Sequence, residues 1–390
     1  MHKPETHQSK PIVIVGGGPV GSVLALVLQQ KNIPFTMLEA RAKGASHTDT
    51  RALALSYGSR LILEKLGVWD AVAAKATAIN TIHISQRGGL GRAKLNATDH
   101  NMPAIGYVLP YGAITQALDT ALDTTNVLYE AEATVIKPNQ TMSEVTFTQT
   151  GVTQVLASPL LIVADGGRSL SDIVGIQKET KEYGHDALVS KVTAELPHNN
   201  IAYERFTPEG PMALLPNGDQ GFSLVWTGAK SKVDALLALD DAVFLTQLHV
   251  AFGDRVGKFL SIEKRMSFPL KLSTLKPSTA PHLAIIGNAA QTMHPVAGQG
   301  FNVGMRDAWT LADLIINTPN AELGSAPMLE AYSGLRSRDT RGGILFTDLL
   351  VNIFGNDIVG LQAIRGAGLG ALELLKPAKN FLVGKMSFGK

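Results

Sequence analysis

The hydrophobic and polar positions at the start of the chain follow the order strand, helix, strand. Four β-branched residues in succession, Ile12–Val15, predict a buried strand. Apolar residues with helical spacing then predict a helix from Val20 to about Gln30, and Phe35–Leu38 predicts a second strand. This alternation is typical of an α/β fold with a parallel sheet.

A glycine-rich turn joins the first strand to its helix. Gly16, Gly18 and Gly21 have the spacing Gly-x-Gly-x-x-Gly. The first glycine permits a tight turn, the second lets the backbone approach a pyrophosphate, and the third lets the helix pack on the strand. Glu39, at the end of the second strand, can accept hydrogen bonds from ribose hydroxyls and disfavours a 2′-phosphate. We therefore predict a site for FAD or NAD rather than NADP, with a purely structural turn as the alternative.

The pattern of hydrophobic and polar residues changes farther along the chain. Ser56 is predicted to cap a helix, and a buried strand at 160–164 ends in Asp165-Gly166. From about 182 to 270, short alternating runs separated by Pro or Gly predict an antiparallel sheet, and 282–286 predicts a last buried strand. We predict three regions: a discontinuous Rossmann-like dinucleotide-binding domain (1–78, 113–181 and 271–320), an inserted antiparallel-sheet substrate domain (79–112 and 182–270), and a C-terminal helical region (321–390).

Composition narrows the class of protein. The 390 residues are 45% hydrophobic and 17% charged, which suits a globular protein of two domains. A net charge of +2 gives no reason to expect nucleic acid as a partner. The lack of cysteine excludes disulfides and thiolate metal ligands, and we predict no metal site. With no signal-peptide or transmembrane pattern, we expect a cytoplasmic protein.

A second glycine-bearing loop follows the last predicted buried strand. Residues 287–307 read Gly-Asn-Ala-Ala-Gln-Thr-Met-His-Pro-Val-Ala-Gly-Gln-Gly-Phe-Asn-Val-Gly-Met-Arg-Asp, again a strand, a loop and a helix. A helix that begins near Phe301 directs its N–H groups and positive dipole end at whatever lies in front of it. Such a helix would stabilise the negative charge of a reduced flavin.

The motifs together resemble a known family, the class A FAD-dependent aromatic hydroxylases, and most closely their ubiquinone-biosynthesis branch, the 2-polyprenyl-6-methoxyphenol hydroxylases (UbiH-like). The resemblance covers nearly the whole chain and implies a p-hydroxybenzoate-hydroxylase-like fold with FAD as cofactor. It is carried by the first glycine turn and by residues 50–55 (Thr-Arg-Ala-Leu-Ala-Leu), 164–169 (Ala-Asp-Gly-Gly-Arg-Ser), 202–211 (Ala-Tyr-Glu-Arg-Phe-Thr-Pro-Glu-Gly-Pro) and 287–307.

The resemblance also implies which residues hold FAD. Asn288 stands where the wider family has an acid, and its amide oxygen can still bond a ribityl hydroxyl. Asp172 stands where the family often has Arg, which leaves the NAD(P)H contacts open. The implied contacts are Glu39 with the adenosine ribose, Arg51 and Asp165-Gly166 near the pyrophosphate, Gln116 from its helix, Pro295, Gly298, Gln299 and Gly300 around the isoalloxazine, and Asn302 at the helix start beside it.

The reaction implied by the resemblance uses NAD(P)H and O₂. In this family NAD(P)H reduces the flavin, O₂ adds to give a C4a-hydroperoxide, and one oxygen atom passes to an electron-rich phenol, here a polyprenylated (methoxy)phenol of ubiquinone biosynthesis. His294, beside Pro295, is the titratable side chain of the flavin-facing loop and a candidate for deprotonating or orienting the phenol. The alternative is a histidine held by backbone hydrogen bonds before the proline.

Two alternative hypotheses about the function stay open. The first is a flavoprotein of the same fold that does not hydroxylate, such as a prenyl reductase or a halogenase; the lack of a Trp-x-Trp pair disfavours the halogenase. The second is a non-catalytic FAD-binding or lipid-binding subunit of a biosynthetic complex. A loose Gly-x-Gly-x-x-Ala match at 366–371 follows no predicted strand, and we interpret its glycines as packing positions in a helix.

The C-terminal segment 358–390 is both basic and apolar. It has five basic residues against one acidic residue, interspersed with large apolar side chains. Such a segment suits an anionic membrane surface, on the inner face of the membrane, which would serve a polyprenyl substrate. The alternative is a helix packed on the cofactor domain with solvated lysines.

Overall fold

A computed structural model describes residues 10–89, 91–170, 173–207, 209–292, 299–337, 339 and 361–389. Ten helices are labelled here in chain order. They are α1 (Pro19–Gln30), α2 (Tyr57–Lys65), α3 (Trp69–Ala73), α4 (Tyr111–Ala121), α5 (Lys230–Leu237), α6 (Asp241–Phe252), α7 (Gln299–Asn317), α8 (326–337), α9 (Leu361–Leu374) and α10 (Lys376–Phe388).

Twenty-one strands form four sheets in this part of the chain. They are β1 (Ile12–Val15), β2 (Phe35–Glu39), β3 (Ala52–Ser56), β4 (Thr77–Ile79), β5 (Thr81–Gln86), β6 (Arg92–Asn96), β7 (Gly106–Pro110), β8 (Val127–Tyr129), β9 (Ala131–Lys137), β10 (Ser143–Gln149), β11 (Val152–Ser158), β12 (Leu161–Val163), β13 (Gln177–Ala194), β14 (Ile201–Thr207), β15 (Gly210–Asn217), β16 (Gly221–Ala229), β17 (Phe259–Ile262), β18 (Met266–Lys276), β19 (Thr279–Ala280), β20 (Leu283–Ile285) and β21 (Gln291–Thr292).

The first sheet is the core of the predicted dinucleotide-binding domain. Its order is β19-β20-β12-β1-β2-β8, and its strands are parallel apart from β19. β1, β12 and β20 are fully buried, as continuous apolar runs in a covered parallel sheet should be. One hydrophobic core includes side chains of α1, α4 and α7 together with apolar residues of β1 and β2. The carboxyl ends of β1 and β2 therefore lie side by side, with Glu39 at the end of β2.

The largest sheet has the order β21-β18-β13-β16-β15-β14-β5-β6, and β17 pairs with β13. It is antiparallel except where β14 runs parallel to β5. α5 and α6 cover one face through a second core that contains Leu188, Trp226 and Phe252. β13 begins at Gln177, whereas the short alternating runs in the sequence begin only at about 182. The first half of β13 is polar and exposed and therefore shows no hydrophobic pattern. The domain limits themselves stay a prediction.

Two small sheets complete the fold. One has the order β3-β7-β4, and the other, β11-β10-β9, follows β8 along the chain. Ser56 caps α2 as predicted, since its hydroxyl accepts a hydrogen bond from the Ser59 N–H. Segment 366–371 is helical within α9, and a Cβ on Gly91 would lie only 2.2 Å from the Gly366 carbonyl oxygen. The close approach is at Gly91: a Cβ on Gly366 would lie 3.6 Å from the Gly91 N, and one on Gly368 or Gly370 would meet nothing within 4 Å, so the interpretation of these glycines as packing positions is not supported.

Candidate cofactor and substrate sites

The glycine turn after β1 is packed too closely for side chains at two of its three positions. Gly16 has φ +106°, and a Cβ there would lie 2.7 Å from backbone atoms at the end of β12. A Cβ on Gly21 would lie 2.0 Å from the Gly16 carbonyl oxygen. At Gly18 the nearest atom to such a Cβ is the Tyr111 hydroxyl at 4.0 Å, so this glycine faces open space. The lack of a side chain at Gly16 and Gly21 thus permits the close backbone packing of the turn, and its lack at Gly18 leaves open space in front of the helix.

The open space is a long cleft, which we call the cofactor cleft. It encloses about 1490 Å³ including its open mouth. The α1 N-terminus borders it, and its N-cap, Gly18, has no side chain to satisfy the N–H groups of the first turn. These donors are available to phosphate oxygens, so the cleft fits a dinucleotide. Its lining includes Gly16, Gly18, Glu39, Arg41, Arg51, Tyr111, Asp165, Gly166, Arg168, Asn288, Gly300 and Phe301.

Glu39 is held as an ionised carboxylate at one end of the cleft. Its Oε2 accepts a hydrogen bond from the Gly17 N–H at 2.7 Å, and its Oε1 accepts from the Arg41 N–H at 2.9 Å and Nε–H at 2.7 Å. Burial alone would raise the pKa of Glu39, but the Arg41 hydrogen bonds and charge and the Gly17 N–H outweigh it, so the pKa is lowered. A charged carboxylate at this edge suits ribose hydroxyl donors. Arg41 was not singled out from the sequence, because a single arginine after a strand has no distinctive pattern.

Arg51 and Asp165 both line the cleft. The Arg51 guanidinium chelates the Asp49 carboxylate and lies 5.4 Å from the centre of the Tyr111 ring. Asp165 accepts hydrogen bonds from the Gly167 and Ser169 N–H groups, each at 2.8 Å. Its carboxylate therefore fixes the turn that presents Gly166 to the cleft. The contact with a pyrophosphate that the resemblance implies for both residues stays a prediction.

Gln116 is placed differently from the expectation. It lies on the exposed face of α4 and is not among the residues that line the cleft. The buried face of that helix carries Ile114 and Leu118, which join the core. Nothing in this position supports the implied contact between Gln116 and the cofactor.

The second glycine loop is described only in part. Asn288 and Gly300 both line the cofactor cleft, and a Cβ on Gly300 would lie 3.7 Å from the Asn288 Oδ1. His294, Pro295 and Gly298 lie outside the described residues, and Gln299 begins α7. The roles expected for these four residues stay predictions.

Asn302 connects α7 to β3. Only 2% of it is exposed. Its Oδ1 accepts a hydrogen bond from the Ser56 N–H at 2.8 Å, and its Nδ2 donates to the Ala54 carbonyl at 3.0 Å. The amide thus fixes the helix start against the strand, a structural role that the expected place beside the flavin did not include.

A second, mainly apolar cavity lies next to the cofactor cleft, and we call it the inner cavity. β3 connects the two: Ala52 and Leu53 line the cleft, whereas Ala54, Leu55 and Ser56 line the inner cavity. The opposite wall comes from β14, and α10 contributes Met386. The cavity encloses about 590 Å³ including its open part. The remaining lining residues are Ile79, Ile82, Ile105, Gly106, Ala202, Tyr203, Glu204, Leu215 and Asn302.

A buried ion-pair network stabilises the helix behind the second glycine loop. Arg336 Nε donates to Asp307 Oδ1 at 2.6 Å, and Arg336 also pairs with Asp339 at 2.8 Å. Asp307 Oδ2 accepts from the Gly287 N–H at 3.0 Å, which joins α7 to the end of β20. Arg306 completes the network on Asp339 at 2.7 Å. The network could not be predicted from the sequence, because Arg336 is far from Asp307 in the sequence and pairs with it only in the folded chain.

Comparison with known proteins agrees with this geometry. A sequence model of the family described as "FAD binding domain" matches residues 9–341. Ubiquinone hydroxylase UbiL of Rhodospirillum rubrum is 32% identical, covering 95% of this chain and 88% of its own, and 3-demethoxyubiquinol 3-hydroxylase of Escherichia coli is 30% identical, covering 94% and 96%. The crystal structure of p-nitrophenol 4-monooxygenase PnpA from Pseudomonas putida aligns with a TM-score of 0.77 at 15% identity, covering 96% of each chain. This likeness confirms the predicted fold class.

Proposed function

The chain belongs to the FAD-binding-domain family of flavoprotein monooxygenases, as the sequence predicts, and on that basis we propose that it hydroxylates a polyprenylated phenol in ubiquinone biosynthesis. The reaction would use NAD(P)H and O₂. Two relatives at 30% identity or more over most of the chain, a ubiquinone hydroxylase and a 3-demethoxyubiquinol 3-hydroxylase, support this choice of ring substrate.

The adjacency of the two cavities is the observation that carries this proposal. The cofactor cleft follows the glycine turn and reaches the start of α7, and the inner cavity begins where the cleft ends on β3. FAD bound in the cleft, once reduced, supplies the activation of O₂ for transfer to an aromatic ring. The apolar walls of the inner cavity would receive that ring and exclude water from the reacting atoms.

The roles of individual residues follow from their places in the cleft. We propose that Glu39 binds the adenosine ribose, that the α1 N-terminus, Arg51 and Gly166 surround the pyrophosphate, and that Asn288 and Gly300 contact the flavin half. His294 remains our candidate for orienting the phenol from the loop before α7, together with Pro295, and Gly298 and Gln299 remain candidates for lining the flavin.

Quinone-intermediate profiling tests the proposed function. A strain that lacks this protein should accumulate one prenylated phenol or its methoxy derivative, and restoring the gene should remove it. The structure of the accumulated compound identifies the ring carbon that is hydroxylated. An unchanged profile of quinone intermediates in the deletion strain would overturn the proposal.

The C-terminal helices α9 and α10 suggest how the protein gains access to a polyprenyl substrate in a membrane. No helix in the described part of the chain is long and apolar enough to span a membrane. The corner between α9 and α10 exposes large apolar side chains: Leu374 is 82% exposed, Leu375 56% and Phe381 68%. Lys376 is exposed beside them, while Met386 on the same α10 lines the inner cavity. We propose that this corner, residues 374–381, binds an anionic membrane surface next to the substrate cavity.

Vesicle sedimentation tests the membrane proposal. The triple substitution Leu374→Glu, Leu375→Glu and Phe381→Glu removes apolar contact and adds like charge, so binding to phosphatidylglycerol-containing vesicles should fall at least about tenfold. Val155→Glu is the matched control, because Val155 is an equally exposed apolar residue on β11. Equal binding of the triple variant and the wild type would contradict the proposal.

A further inference from the structure

One acidic side chain lines the inner cavity among the residues that the structure describes. Glu204 lies on β14, whose residues alternate between the two faces of the large sheet. Ala202 and Phe206, on the same face as Glu204, pack into small apolar clusters with Ile79 and Leu369 respectively. The Glu204 carboxyl therefore lies among apolar neighbours, on the face that borders the inner cavity.

The Glu204 carboxyl has no partner among the described residues. No hydrogen bond or ion pair to it is found there, and burial is the cause of its altered acidity. The side chain keeps partial contact with the inner cavity, whose walls come from β3, β14 and α10. Burial raises the pKa of Glu204 to about 8. A buried carboxyl without a partner costs stability, and in enzymes such groups are found most often at functional sites.

The other ionisable groups nearby face away from the carboxyl. Tyr203 borders the cavity, but its ring packs against Phe222 and Phe252 on the opposite face of the sheet. The Arg205 side chain lies on that same opposite face, near Gly253. The positive charge of Arg255 acts there on both Arg205 and His83. On α10, Lys385 lines a different cavity, together with Arg306 and Asp339. On β3 and α7 the cavity-lining residues are uncharged.

We propose that the Glu204 carboxyl contacts the hydroxyl group of the phenol substrate and accepts its proton. This inference rests on the proposed function. In the step, the phenol O–H bond breaks, an O–H bond forms on the Glu204 carboxyl, and the negative charge passes from the carboxylate to the phenol oxygen and into the ring. When the hydroxylated ring regains its aromaticity, the C–H bond at the hydroxylated carbon breaks and its proton ends in the water formed from the second oxygen atom of O₂. The Glu204 carboxyl returns its proton to the phenol oxygen, so the carboxylate is regenerated.

The buried position makes this carboxyl a better base than an ordinary one. A phenol has a pKa of about 10, so transfer to a carboxylate of pKa about 4 is uphill by about six units. Raising the carboxyl pKa to about 8 reduces that gap to about two units, while part of the carboxyl is still ionised near neutral pH. The electron-rich phenolate is the form of the ring that accepts an electrophilic oxygen most readily. Glu204 would thus remove the phenol proton, a role for which the sequence makes His294 a candidate.

A comparison of two ligands tests this inference by binding alone. The probes are 2-prenylphenol and its methyl ether, which has no hydroxyl proton, with binding to the FAD-loaded protein followed by the change in flavin absorption. Wild type should prefer the phenol, and the preference should grow as pH rises through about 8, because the ionised carboxylate accepts the stronger hydrogen bond. Glu204→Gln should lower phenol affinity about tenfold or more, leave ether affinity unchanged, and remove the pH dependence.

The controls separate the possible failures. Glu179→Gln changes an exposed glutamate of the same sheet and should behave as wild type. Glu204→Leu should melt at or above the wild-type temperature, because it removes an unpaired buried carboxyl; melting well below it would assign Glu204 a structural role and overturn the inference. If wild type prefers the phenol and Glu204→Gln keeps that preference, the inference fails and the proposed function stands. If wild type binds neither probe, the proposed function fails and the inference with it.

Discussion

Gly18→Val should fold normally and yet lose FAD. Gly18 has φ −69° and ψ 172°, extended values that valine adopts readily, and a Cβ there would meet nothing closer than the Tyr111 hydroxyl at 4.0 Å. The valine side chain would, however, project into the cofactor cleft where the pyrophosphate approaches the α1 N-terminus. Losing the hydrogen bonds to a charged phosphate group should cost about 3 kcal/mol or more, a fall in FAD affinity of over about a hundredfold.

The measurement is FAD titration of the apoprotein, followed by flavin fluorescence, with circular dichroism to check the fold. Gly334→Val is the matched control, because Gly334 lies on α8 with no atom within 4 Å of its would-be Cβ. It should keep wild-type affinity for FAD. Gly21→Val should instead damage the fold itself, since its Cβ would lie 2.0 Å from the Gly16 carbonyl oxygen. Normal FAD binding by Gly18→Val would contradict the placement of the pyrophosphate.

Arg336→Met should destabilise the protein by about 3–5 kcal/mol, because it leaves the Asp307 and Asp339 carboxylates buried without their shared cation. Asp307 is 2% exposed and Asp339 9%. Burial by itself would raise the pKa of Asp339, but hydrogen bonds and charge from Arg306 and Arg336 lower it overall. The network joins α7 to the end of β20, so its loss also loosens the floor of the cofactor cleft.

Urea unfolding of the FAD-free protein measures this effect without interference from cofactor binding. Lys230→Met is the control: it breaks an exposed ion pair with Asp234 and should change the free energy of unfolding by less than about 1 kcal/mol. A double variant, Arg336→Met with Asp307→Leu, should recover part of the loss, because it removes one of the stranded charges. A loss below about 1 kcal/mol in Arg336→Met would show that water or other groups satisfy the carboxylates.

The parts of the fold that depend on neighbours in the sequence could be predicted from it. The strand, turn and helix around Gly16–Gly21 and the cap at Ser56 follow from local spacing and local hydrogen bonds, and the structure has both. The first half of β13 could not be predicted, because its exposed polar residues follow no hydrophobic pattern and are held by pairing with β18.

The candidate site divides in the same way. Glu39 was predicted because its distance from the glycine turn is fixed by one helix and one strand. The structural use of the Asn302 amide, the Arg336 network and the inner cavity depend on contacts between residues far apart in the sequence. Glu204 and Met386 reach one cavity from different ends of the chain, and only the tertiary structure brings them together.

We expect this protein to insert an oxygen atom from O₂ into a prenylated phenol with FAD as its cofactor. The most direct measurement is a reaction of the purified FAD-loaded protein with NAD(P)H, 2-prenylphenol and ¹⁸O₂, followed by mass spectrometry of the product. We expect a hydroxylated phenol that carries one ¹⁸O atom, with NAD(P)H consumption stimulated by the phenol. NAD(P)H oxidation that the phenol does not stimulate, with no labelled product from this or a longer prenylated phenol, would contradict the hydroxylase function.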